Sequence, residues 1–157
     1  MSYGIIFCGK SSHSATILSA QKNAIRIIKG CSNRVSCRNL LKKLKILPST
    51  SQYLLPLLMF VVQNKNHFLT NTGNHNIDTR QRNNLYLPKA NLTIYQKGDY
   101  YLGIKISINL HKEIKDVADN LEKFKIPLEQ FLYTYSFNTL EEHFNQSRIM
   151  YCIIKTA

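Results

Sequence analysis

Apolar residues along this chain recur mostly at spacings of three and four, the period of helices that bury one face. From Ser14 to Lys29, the residues Ile17, Leu18, Ala24, Ile25 and Ile28 share a side. Ser14 is placed to cap the start, and Gly30 stands where a left-handed residue ends a helix. The same spacing sets Lys22, Arg26 and Lys29 on a stripe that faces solvent. A second helix is predicted from Ser36 to Lys45, with Leu40, Leu41 and Leu44 inward. Arg38, Lys42, Lys43 and Lys45 lie on its other sides, and Pro48 ends it. A third follows, capped by Ser49, Thr50 or Ser51 and reaching about Lys65. It is apolar on nearly every side from Tyr53 to Val62, the mark of a central buried helix. Pro56 falls inside that run. It kinks the helix if it lies beyond the first turn and does little if the helix starts at Tyr53.

The period lapses between Asn66 and Asn91, which is rich in Asn, Thr and His and reads as a long loop, functional or mobile at this length. In its middle, Asn74 to Asn84 reads NHNIDTRQRNN, with Ile77 as the sole apolar residue and Arg80 and Arg82 two apart. Tyr100 to Asn109 fits a strand through Ile104, Ile106 and Ile108, and also fits a helix. Helical spacing returns after Asn120, a capping residue, with Leu121, Phe124, Leu128, Phe131, Leu132 and Tyr135, interrupted by Pro127. Asn138 and Glu141 form a capping box for a last helix to about Asn145. The expected class is mainly α: a small helical bundle, a long loop and further helices, with at most one short strand pair. The segments are 1–66, basic and helical; 67–99, a polar loop; 100–145, helical; and 146–157, a tail. The tail's IMYCII run is either a small added strand or sequence not selected for this fold.

Charge adds a partner to this picture. The chain of 157 residues carries a net charge of +12, and 44% of it is hydrophobic, enough for a folded core. No Asp or Glu occurs from Met1 to Ile77, while ten Lys and Arg do; from Asp78 on there are eleven basic and nine acidic residues. A half with one sign of charge attracts a polyanion, most often nucleic acid and less often an anionic membrane, or is simply a solvated basic surface. Lys and Arg on adjacent helical turns can follow a phosphate backbone. The longest apolar run, Tyr53 to Val62, is about half of what spans a bilayer. The start, MSYGIIFCGKSS, lacks a secretory pattern, and four scattered cysteines make no disulfide framework. An intracellular protein of nucleus or cytoplasm, with reduced thiols and no membrane partner, is expected.

Catalytic patterns are missing. Cys31 and Cys37, with His67 and His75, do not match zinc spacings. There is no G-x-S-x-G elbow and no phosphate-binding G-x-x-x-x-G-K-[ST] loop. Neither a metal nor a cofactor is expected.

Taken in order, YGIIFCGKSSHS, LSAQKNAIRIIKG, SCRNLLKKLKILPSTSQYLLPLLMFV, HNIDTRQRNNLYLP, KGDYYLGIKISINLHKEIKD and FLYTYSFNTLEEHF resemble the region downstream of the polymerase core in reverse transcriptases of LINE-type (non-LTR) retrotransposons, of the insect jockey-like kind. The resemblance runs from about Tyr3 to Phe144. It implies a thumb-like helical segment and a C-terminal part that helps hold template RNA and target DNA beside an upstream polymerase domain. His75, Asn76, Thr79 and Arg80 match a recurring H-N-x-x-T-R mark of that region. The family's paired palm aspartates are absent: Asp78, Asp99, Asp116 and Asp119 each stand alone, and phosphoryl transfer needs positioned carboxylates to hold its metal ions. The chain by itself is therefore expected not to polymerise. Cys8 replaces a usual Trp, Ser107 a usual Trp or Phe, and His111 a usual Pro, departures that fit a decaying copy. The expected role is non-catalytic holding of RNA or DNA by phosphate contacts from Lys22, Arg26, Lys29, Arg34, Arg38, Lys42 and Lys43, with Arg80 and Arg82 in support. The alternative is a decayed remnant or scaffold segment that binds no nucleic acid.

Overall fold

The computed structural model describes residues 4–8, 11, 13–71 and 84–146. The His75–Arg82 motif, with Arg80 and Arg82, and the tail from 147 lie outside them. The described residues are mainly helical: α1 (Ile5–Cys8), α2 (Ser14–Lys29), α3 (Cys37–Leu44), α4 (Ser49–Gln63), a 3-10 turn (Lys65–His67), α5 (Thr93–Gln96), α6 (Asp99–Ile108), α7 (Lys112–Asp116) and α8 (Leu121–Tyr135), then α9 (residues 140–146). Strand pairing among the described residues is limited to one isolated antiparallel bridge, Thr70 with Leu85. Residues 100–109, open to strand or helix in the sequence, belong to α6 and the turn that ends it. The chain divides into two compact units, Met1–Pro56 with Lys125–Ala157, and Leu57–Phe124.

In the first unit α2 stops at Gly30, whose φ of 61° lets its N–H turn back toward the Arg26 and Ile27 carbonyls. α3 ends at Lys45, also left-handed at φ 53°, so the helix closes before Pro48 rather than at it. The side of α2 that faces inward differs from the expected one. Ile25 is buried and Leu18, Gln21 and Lys22 are half-buried, whereas Ile17, Ala24 and Ile28 are exposed together with Ile27. The apolar band of α2 is wide, and a polar side chain decides which edge goes in. Gln21 donates from Nε2 to the Leu47 carbonyl (2.9 Å) and accepts from the Ser49 N–H at Oε1 (2.9 Å), stitching α2 to the α3–α4 connection. That acceptor satisfies one of the orphan donors at the start of α4. Gln21→Leu is expected to lower stability by about 1–2 kcal/mol, read as an earlier urea midpoint, because the Ser49 N–H is left without its acceptor.

Tyr53 and Leu54 of α4 are buried, with Leu41, Leu47, Leu128, Leu132 and Phe137. Because α4 begins at Ser49, Pro56 lies beyond its first turn and denies the Gln52 carbonyl its usual donor. After α8, Ser136 takes φ 48° and its hydroxyl donates to the Tyr133 carbonyl at 2.8 Å. The cap of α9 sits one residue later than the Asn138–Glu141 pairing the sequence suggests. Thr139 Oγ1 accepts from the Glu142 N–H (3.2 Å), and the Glu142 carboxylate accepts from the Asn138 N–H (2.9 Å). Thr139 is the residue whose hydroxyl faces the third N–H of the helix, which is one half of a box; the Glu142 carboxylate returns to the N–H one residue before the cap.

In the second unit Val61, Phe68, Leu85 and Ile104 form one buried cluster, with Leu87 and Ile108 against it. The stretch read as a polar loop thus supplies core residues at both ends. The bridge holds them in register: the Asn71 N–H donates to the Asn84 carbonyl (3.0 Å) and the Tyr86 N–H to the Leu69 carbonyl (2.7 Å). Asn120 caps α8 as expected, its Oδ1 accepting from the Glu122 and Lys123 N–H groups at 3.1 and 3.2 Å.

Candidate nucleic-acid interface

Among the described residues, the seven cations singled out in the sequence fall into three groups, Arg80 and Arg82 lying outside those residues. Lys29, Arg34, Lys42 and Lys43 are exposed, and no carboxylate among the described residues pairs with them. Lys42 and Lys43 stand on α3 away from its buried side, which carries Cys37 and Leu41. Lys29 closes α2, and Arg34 lies in the connection from α2 to α3. Lys45, exposed on the left-handed residue that ends α3, adds a further charge the sequence had not ranked.

Two more are turned to the protein's own use. Arg26 donates to the Asn23 side-chain oxygen (3.2 Å) and to the Val35 carbonyl (3.4 Å), fastening α2 to the connection that follows it. Arg38 Nη2 meets Glu142 Oε2 at 2.9 Å. That same oxygen accepts from the Asn138 N–H, so the Arg38 charge also supports the cap of α9. Both members of the ion pair are 41% exposed, so the pair contributes little to stability, about 1 kcal/mol at most, but it withdraws Arg38 from the free cations. Sequence reasoning missed Glu142 because the two residues lie 104 positions apart, and no local signal joins them.

Lys22 is half-buried and stands apart from the exposed set. It lines an open groove of about 400 Å³ with Leu18, Thr50, Thr139 and Glu141. Glu141 brings a negative charge to that groove, which makes it a poor seat for a phosphate. Arg26, Lys29, Lys42 and Lys43 also fall in the last turns of α2 and α3, where positive charge offsets the helix dipole. Part of the basic character therefore serves the helices themselves.

Among the described residues no group of His, Cys, Asp or Glu could hold a metal ion, and no single helix is long and apolar enough to cross a membrane. No protein-family model, characterised protein or solved structure matches the chain.

Proposed function

We propose that this chain is a nucleic-acid-holding segment, the non-catalytic C-terminal part of a non-LTR retrotransposon RNA-directed DNA polymerase. It grips an RNA or DNA backbone through Lys29, Arg34, Lys42 and Lys43. The observation that supports this reading is the run from Met1 to Ile77 without a carboxylate, joined to the exposure of these four cations. Phosphates are the anions that come at regular spacing, and binding them releases counterions. Arg26 and Arg38 contribute by fixing the α2–α3 connection and α9. With four to five phosphates neutralised on a duplex, log affinity against log salt should fall with a slope of roughly −4.

A gel-shift titration of the whole chain across salt tests this. Lys42→Ala together with Lys43→Ala is expected to flatten the slope by about 2 and to weaken binding to all sequences alike. Binding indifferent to ionic strength, or untouched by the pair of substitutions, rejects the reading.

A second reading, a scaffold segment seated on the rest of its own polyprotein, draws on the exposed apolar edge of α2, where Ile27 and Ile28 are 80% and 73% exposed. A folded chain that binds neither RNA, DNA nor hybrid at low salt would favour it.

A further inference from the structure

The second unit carries an exposed surface of a different kind. Leu92, Ile94 and Tyr95 are 67%, 79% and 62% exposed, although they lie on or beside α5, a helix of four residues that buries nothing. The turn is nonetheless tightly held. The Tyr95 N–H donates to the Leu92 carbonyl, Lys97 to Thr93 and Gly98 to Tyr95, each at 3.0 Å. Gln96 Nε2 donates to the Ala90 carbonyl at 2.7 Å, which draws Lys89 and Ala90 alongside. Gly98 passes close to the Tyr95 carbonyl, 3.2 Å from where a Cβ would sit. Just beyond, Tyr100 is half-exposed at one end of a stack with Phe68, ring centroids 5.0 Å apart.

Lys89 and Lys97 flank this turn, both exposed and neither paired with a carboxylate among the described residues. Asp99 is the single acid between Lys89 and Lys112. A hydrogen-bonded turn that presents an aromatic and two aliphatic side chains between unpaired cations suits a partner that is both anionic and flat. A duplex hides its flat faces inside the stack; a single strand presents them, and an aromatic ring can take one. A lipid surface shares the negative charge, but interfacial helices bury an apolar face over several turns, and α5 has one.

We infer that residues 89–100 take single-stranded nucleic acid, an unpaired base stacking on Tyr95 while Lys89 and Lys97 meet the neighbouring phosphates. This rests on the proposal that the chain holds nucleic acid, and adds the state of the strand and the residues that read it.

The test uses the whole chain with three probes: a 15-nucleotide uridine RNA carrying one 2-aminopurine, a 15-base-pair duplex, and phosphatidylcholine vesicles containing phosphatidylserine. Tyr95→Ala is expected to weaken single-strand binding about tenfold and to abolish quenching of 2-aminopurine, with duplex binding unchanged. Tyr95→Phe should keep both signals and Tyr95→Leu should lose the quenching, because an aliphatic side chain has no ring face. Lys97→Ala should flatten the single-strand salt slope by about 0.7. Wild-type single-strand binding by Tyr95→Ala, or Tyr95→Leu behaving as Tyr95→Phe does, overturns the inference. So does loss of vesicle binding in Tyr95→Ala while RNA binding stays intact. If Tyr95→Ala is inert but the Lys42 and Lys43 substitutions still weaken the duplex, this inference falls and the proposed function stands. If no nucleic acid binds at all, both fall.

Discussion

Gly103→Leu is expected to lower stability by about 3 kcal/mol, one of the largest losses available from a single substitution in the second unit. Gly103 sits in the middle of α6 and is buried. A Cβ built on it would lie 2.7 Å from Val61 Cγ2 and 3.5 Å from Leu57 Cδ1. Val61 is short, β-branched and 2% exposed, so it has no far end to swing aside. Replacing an interior glycine ordinarily favours a helix by up to about 1 kcal/mol. Here the clash opposes that gain, and a leucine adds three further carbons to a filled space. The coupling can be isolated. Gly103→Ala should be destabilising alone by about 1 kcal/mol, and Val61→Ala should largely rescue it, giving a coupling of about 1 kcal/mol or more in a double-mutant cycle of urea unfolding. Independent, additive effects would mean that the close approach at Gly103 is not what holds the residue as glycine.

Gly103 also illustrates how much of the fold the sequence discloses. In the sequence, residues 100–109 fit a strand through Ile104, Ile106 and Ile108 and fit a helix as well; the contact with Val61 that keeps position 103 a glycine lies 42 positions away and has no local trace. Where the determinant is local, the sequence is informative at several positions, although Ser14, expected as a cap, is the first residue of α2 and His13 holds the cap position. Gly30 ends α2, Asn120 caps α8, and the outward sides of Lys42 and Lys43 follow from Leu41 and its spacing. Where the determinant is a tertiary partner, it is not. The buried edge of α2 is chosen by Gln21 and its bonds to Leu47 and Ser49, so Ile17 and Ile28 stay exposed despite their spacing. The candidate interface divides in the same way. The absence of acids before Asp78 is plain in the sequence, but that Glu142 occupies Arg38, and that Arg26 serves the Val35 carbonyl, depends on contacts which charge counting cannot see. The turn at Leu92, Ile94 and Tyr95 escaped notice because no period marks a four-residue helix.

Acid should weaken the protein through His143, by about 3 kcal/mol between neutral pH and pH 4. This imidazole is 1% exposed, ringed edge-on by Phe131, Phe137 and Phe144 with centroids 6.1, 5.1 and 5.7 Å away. Burial disfavours the charged form and lowers its pKa from 6.5 to about 4. Below pH 6.5 the unfolded chain therefore takes up a proton that the folded one refuses. The contribution is fully present above that value, is lost progressively as pH falls, and is exhausted near pH 4, where the folded state is protonated as well. Carboxylates titrate in the lower part of this window, so the informative quantity is the difference between the wild-type chain and His143→Phe. The phenyl ring suits an aromatic surround and carries no proton. Urea midpoints of the two proteins should diverge as pH drops from 7 to 4.5, the variant holding its stability while the wild type loses it. Parallel curves would mean that the folded protein accommodates the imidazolium, and that the aromatic enclosure around position 143 opens to water.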